Sequence, residues 1–275
     1  MRTARFPFLA LFMVVLTAIP FSTAAAQQVR ILEDDPWCER HRWSDDWDTE
    51  RYCEVHEITL QAGRDLIAID GRQNGGIRVK GWNKDEILVR ARIRANARSE
   101  SAARRLAEEV EIETGRTIYA EGPDTRRKEW ISVSYEVFVP HQSNLLLETH
   151  NGGIHIEDVD GDVEFDALNG GVSLIDLAGD IQGRTTNGGL DIELTGTEWN
   201  GEGMDVTTTN GGITIIVPDE YSARLETRTV NGRLEVDFPV LVQGRIDRRI
   251  TTELGRGGRT IRAVTTNGGV EVRRG

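Results

Sequence analysis

Apolar and polar positions alternate through the middle of this chain in a fixed frame. Asn151, Asp160, Asn169, Ala178 and Asn187 stand nine residues apart. Within each nine the fourth and sixth positions are mostly apolar: Ile154 and Ile156, Val163 and Phe165, Val172 and Leu174, Leu190 and Ile192. The fifth is polar, which is strand alternation with one face buried. Two kinds of corner interrupt it: Asn-Gly-Gly recurs at 151, 169 and 187, while Asp-Gly-Asp at 160 and Ala-Gly-Asp at 178 fall halfway between. The repeat is therefore eighteen residues long, with two unlike halves. Past Leu194 the frame stretches, Asn187 to Asn210 being 18 plus 5 and Asn210 to Asn231 being 18 plus 3, so the insertions belong in loops. Asn231 to Asn267 is 36, two units, with Arg249 at the intermediate corner. The echo between VPHQSNLLLETHNGGIHI and VPDEYSARLETRTVNGRLEV supports the same frame.

Upstream, EITL and LIAID read as strands, and Asn74-Gly75-Gly76 leads into IRVKGW and EILVRARIRA. A helix is predicted from Ser99 to Glu113, with Ala103, Leu106 and Val110 on one stripe and Gly115 to end it. RTIYA and WISVSYEVFVP resume the strand pattern until Pro140. A turn every nine residues suits two architectures. In an antiparallel meander each Asn-Gly is a type I′ hairpin. In a flattened solenoid each eighteen-residue unit is one coil with a strand on each of two sheets. The three-residue corners favour the solenoid, with glycine supplying positive φ. There like corners stack, and Asn151, Asn169, Asn187, Asn210, Asn231 and Asn267 form an amide-to-amide ladder. The fold class expected is all-β, a right-handed parallel β-solenoid with one short helix in the N-terminal half.

Residues 1–26 read as a secretory signal: Arg2 and Arg5, an apolar stretch from Phe6 to Phe21, then Ala24-Ala25-Ala26. Export to the periplasm or the medium follows, with no integral membrane span after cleavage. The formal net charge of −12 becomes −14 once Arg2 and Arg5 leave, which argues against nucleic acid as a partner. Residues 27–56 differ in composition, with Trp37, Trp43, Trp47 and both cysteines, Cys38 and Cys53. Cys38-Glu-Arg-His41 and Cys53-Glu-Val-His56 resemble zinc ligands in type and spacing. In an oxidising compartment two lone cysteines pair instead, and a disulfide is the expectation. The domain layout expected is a signal peptide at 1–26, an acidic Trp/Cys segment at 27–56 and a solenoid at 57–275.

The V-x-G-D-V and N-G-G-V units, the IRVKGW strand, the single helix and Val139-Pro140 together resemble the putative-adhesin family of exported bacterial proteins, a domain of unknown function. That resemblance implies a β-solenoid over roughly 57–275 and supplies no catalytic residues. Outward columns are expected at His155, Ser173, Asp191 and Thr214 on one sheet and at Glu164, Gln182 and Asp205 on the other. The tryptophans at 37, 43 and 47 are assigned to covering the open end of the coil. Asp158, Asp160, Asp162, Glu164 and Asp166 cluster in sequence, but the corners offer too few oxygens for calcium, and no metal or cofactor is expected. Glu157 and Asp176, close by coil position, make a carboxylate pair of the kind any acidic chain offers. The reading is a non-enzymatic structural or adhesin-like module, monomeric or weakly self-associating, whose partner is an extracellular protein or polysaccharide. The alternative is a glycan-binding or polysaccharide-cleaving β-helix.

Overall fold

The computed structural model describes residues 29–39, 49–63, 65–237 and 248–275. Strand β1 (Val29–Leu32), the short helix α1 (Pro36–Glu39) and β2 (Glu50–Gln61) precede β3 (Ile67–Asp70), β4 (Ile77–Trp82) and β5 (Glu86–Ala97). Helix α2 (Glu100–Glu108), β6 (Glu111–Thr114), β7 (Thr117–Glu121) and β8 (Trp130–Pro140) complete the N-terminal part. The remainder is β9 (Leu145–Thr149), β10 (Ile154–Ala167), β11 (Val172–Asn187), β12 (Leu190–Glu193), β13 (Gly203–Asn210), β14 (Ile213–Val217) and β15 (Ala223–Asn231). It ends with β16 (Leu234–Val236), β17 (Arg249–Leu254), β18 (Thr260–Asn267) and β19 (Val270–Arg274). No helix among the described residues is long and apolar enough to cross a membrane. The signal-like residues 1–26, His41, Trp43 and Trp47 lie outside the described residues.

The coils are parallel, so the meander is excluded. β10 and β11 each run around a corner, pairing in register from Ile154↔Val172 to Ala167↔Thr185. One face of the stack runs β4, the first half of β10, the first half of β11, β12, β14, β19, β16. The other runs β3, β9, the second half of β10, the second half of β11, β13, β18, β15. Inward columns such as Ile77, Ile154, Val172, Leu190, Ile213 and Val270 are buried between the two faces. Phe165 and Gly183 are register partners, and a Cβ on Gly183 would lie 2.5 Å from the Phe165 ring, so the large side chain fills the space the small one leaves.

Two sequence expectations change here. The Asn-Gly-Gly corners contain no positive φ; Asp158, Asp176 and Gly179, in the opposite corners, do. The first glycine of each triplet is required by close approach instead: a Cβ on Gly170 would sit 2.0 Å from the Gly152 carbonyl oxygen, and one on Gly188 2.0 Å from that of Gly170. The second glycine has more room, which is why Arg233 can occupy that position after Asn231-Gly232. The other change is in coil order. β18 lies between β13 and β15, so the last coil of the sequence is not the last in the stack.

The N-terminal part is built differently. β2, β5 and β8 pair antiparallel along almost their full lengths, and β8 then joins β4 in parallel. β2 runs unbroken through positions 56 and 57, so the boundary drawn there falls inside a strand. The helix is shorter than the apolar stripe suggests. Ser99 caps it, its side chain accepting from the Ala102 N–H, and it ends at Glu108 because Glu111–Thr114 leaves to pair with β7. Ala103 and Ala107 are the residues it buries, against β2 and β5.

Candidate ligand-binding face

Corner geometry determines what the outer surface can present. The asparagine amides run as one chain of hydrogen bonds: Asn151 donates to Asn74 (3.3 Å), Asn169 to Asn151 (2.9 Å), Asn187 to Asn169 (2.8 Å) and Asn210 to Asn187 (2.8 Å). Asn267 then donates to Asn210 and Asn231 to Asn267, both at 2.8 Å. Asn74 is thus a seventh member, and Asn267 precedes Asn231. A second, buried row accompanies it. The hydroxyls of Thr149, Thr185, Thr208, Thr265 and Thr229 donate to the carbonyls of Gly75, Gly170, Gly188, Gly211 and Gly268. Each threonine stands two residues before a ladder asparagine; Ala167, before Asn169, and Arg72, before Asn74, break the T-x-N-G pattern. That regularity was present in the sequence and is the signal that corner-based reading passed over.

With corners stacked, outward side chains align. Register places Arg78, His155, Ser173, Asp191 and Thr214 in one column, continued by Glu271 and Glu235. The opposite face aligns Glu164, Gln182, Asp205, Arg262 and Glu226. The first column borders a groove larger than the cavity of about 230 Å³ beside Glu164 and Gln182 on the opposite face. The groove, of about 680 Å³, is lined by Trp37, Arg78, Arg92, His155, Ser173 and Asp191, and its floor includes the bare backbone of Gly76, Gly153 and Gly171.

The groove wall is held by an ionic hub. Arg90, pointing outward from β5, binds Asp35 (2.6 Å), Glu57 (3.1 Å) and Glu136. Asp35 also accepts from the Trp37 N–H at 2.8 Å, fixing α1 over the sheet. The Trp37 ring then lies 4.4 Å from the Arg92 guanidinium and its carbonyl accepts from Arg92 at 2.9 Å. Trp37 therefore belongs to the outer face and does not cover the end of the core. Burial, and Arg94 alongside, push the Arg92 pKa down to about 10. Burial likewise pushes the His155 imidazole below its ordinary range, helped by Arg78 and opposed by Glu157. Glu157, next to it, is held below the usual carboxylate range by its bond to Lys80 (2.8 Å).

Other candidates resolve plainly. Cys38 and Cys53 are joined, with Cα atoms 5.8 Å apart, so their sulfurs do not ligate zinc. His56 instead bonds Glu54 at 2.7 Å, and Glu54 also accepts from Tyr52 at 2.9 Å. Glu157 pairs in register with Ile175, not Asp176, and Asp176 bonds Thr195, so the suggested carboxylate pair does not form. Another cavity, about 420 Å³, lies further along β5 between the disulfide, Tyr52, Asn96 and Trp130.

The molecule is a β-solenoid with a groove on the outer face that carries His155, Ser173 and Asp191. Residues 140–273 match the family model Toastrack DUF4097. No curated protein matches the sequence. Among solved structures, a putative cell adhesion protein from Clostridium sporogenes is 8% identical, with 82% of this chain and 100% of that one covered and a TM-score of 0.43. A putative adhesin from Bacteroides fragilis is 10% identical, with 80% and 96% covered and a TM-score of 0.38. A putative lipid binding protein from Parabacteroides distasonis is also 10% identical, with 80% and 96% covered and a TM-score of 0.33. Similarity this distant says nothing about what this chain binds.

Proposed function

We propose that this protein is an exported, non-catalytic surface module that binds an extended polysaccharide along the groove. The observation that carries the reading is the union of an aromatic face, Trp37, with a column of unlike polar groups, Arg78, His155, Ser173 and Asp191, above exposed glycine backbone. A polymer lying along the stack axis meets a new coil about every 4.8 Å, the spacing of adjacent strands. Export is supported by the disulfide, which persists in oxidising compartments. The non-catalytic part rests on the carboxylates. Glycoside hydrolysis needs one carboxyl group protonated and a second one free to act. Asp35 and Glu136 are both bound to the Arg90 guanidinium, so neither carboxyl group is free to act.

A glycan array probed with the mature chain and with Trp37→Ala tests this. Retention of one polymeric class by the wild type, with loss of about tenfold or more in the variant, is expected for a central aromatic anchor. Equal retention by both proteins would place binding elsewhere. Release of reducing ends from a retained glycan would make the protein an enzyme.

A further inference from the structure

The coil order carries an inference that is independent of the groove. β18 and β19 are strung between two coils made earlier in the chain, β13–β14 on one side and β15–β16 on the other. β17 flanks the far edge of β15 in antiparallel fashion, so the β17–β18 pair straddles β15. The loop between them crosses the start of that strand, where the Arg256 N–H donates to the Ser222 hydroxyl at 3.2 Å and the Arg224 N–H to the Arg259 carbonyl at 2.9 Å. Gly255, Gly257 and Gly258 in this loop all have positive φ. The slot is read by backbone and corner groups that every coil shares: Asn267 bonds Asn210 and Asn231, Thr265 reaches Gly211, and Thr229 reaches Gly268.

Charge singles out one occupant. Residues 256–275 contain Arg256, Arg259, Arg262, Arg273 and Arg274 against Glu271 alone, a net +4, which leaves −18 on the rest of the mature chain (−14 less +4). Four of these arginines reach acids on the neighbouring coil and its flanks: Arg256 to Glu198 (3.4 Å), Arg259 to Glu202 (3.2 Å), Arg262 to Asp205 and Arg274 to Asp219 (2.8 Å). Such exposed pairs add little stability one by one, but together they steer a basic segment into an acidic slot.

We propose that the C-terminal coil, residues 259–275, is exchangeable, and that the slot between β13–β14 and β15–β16 accepts this coil from a second copy of the chain. Every contact is the same within one chain or between two, so concentration and loop geometry decide which form is populated. A paired module carries two grooves and gains avidity on a repetitive ligand.

The test uses full-length chains. Asp205→Cys and Arg262→Cys are made in separate chains, since these positions are register partners on adjacent strands. The two are mixed, held near the urea midpoint, returned to buffer and treated with a short bismaleimide, which leaves the native disulfide untouched. A single chain carrying both substitutions reports whether the seated coil brings the thiols together. The expected result is a covalent mixed dimer that accumulates with incubation time and forms faster at high salt, where the arginine pairs are screened. The proposal is overturned if no mixed product forms while the double variant closes within one chain. It is equally overturned if Asp205→Cys chains cross-link to one another as well as to Arg262→Cys chains, which would mean random collision.

Discussion

The two parts of this molecule solve the same burial problem with different devices. In residues 29–140, three strands of 11 or 12 residues pair antiparallel, and unique contacts finish the job: one disulfide, one capped helix and one arginine bound to three carboxylates. From Leu145 onward the strands are mostly parallel and the same few contacts recur at each level, an asparagine amide outside and, in most coils, a threonine hydroxyl inside. A unique contact fails locally. A repeated one is shared with neighbours, because a single coil cannot bury its apolar face alone. The parts meet where β4 pairs with β10 and β3 with β9, and the groove spans that seam, with Trp37 and Arg78 from one part and His155, Ser173 and Asp191 from the other.

The largest expected effect breaks the repetitive part. Gly170→Val places carbon against the Gly152 carbonyl, with no flexible side chain to move aside, and should cost about 4 kcal/mol or more, the range of severe core disruption. Hydrogen exchange should show protection lost from β10 through β13 while β2, β5 and β8 keep theirs. Simultaneous loss in both would mean the two parts unfold as one unit.

Next comes the unique staple. Replacing Cys38 and Cys53 with serine opens a loop of sequence separation 15 and should cost about 3 kcal/mol in the chain-entropy model. The loss should appear as early exchange in β1 and β2 with the coils unaffected. A lower melting temperature for the coils as well would show that the disulfide supports the whole stack.

The ladder asparagines are solvent-exposed, so Asn169→Ala should cost only about 1 kcal/mol, a typical net value for a hydrogen bond. Asn151→Ala should behave alike, and in urea melts the double variant should lose less than the two singles added, since both delete the same 151–169 bond. Strict additivity would mean that the bond contributes nothing measurable. The smallest effect is a gain. Ala167 is the one position between Thr149 and Thr265 in its row without a hydroxyl, and Ala167→Thr should add about 0.5 to 1 kcal/mol by donating to the Gly152 carbonyl. A destabilised variant would show that the added methyl is too large for the column that Phe165 already fills.

How much of this was legible follows the same division. The coils announce themselves because a two-residue side-chain period and an eighteen-residue corner period are written in consecutive residues, Ile154 to Ile156 and Asn151 to Asn169. The antiparallel part has no period to read. Its helix looked longer than it is because Val110 and Ile112 continue the apolar run, and only pairing with β7 turns that stretch into a strand. The groove was half legible. The column His155, Ser173, Asp191 follows from the repeat, but Trp37 joins it only because Asp35 is bound to Arg90, 55 residues further along the chain.

The sequence by itself determined the local alternation, the corner chemistry and the length of a coil, because these depend on sterics and hydrogen bonds between near neighbours and between identical units. It did not determine the order of the last coils. Asn210, Asn267 and Asn231 carry interchangeable corners, so any of them satisfies the next rung equally well. What selected the observed order was the pairing of whole strands, β18 with both β13 and β15 and β17 with β15, together with the charges that set Arg259, Arg262 and Arg274 against Glu202, Asp205 and Asp219. Those are contacts between segments up to 57 residues apart, and no local rule weighs them.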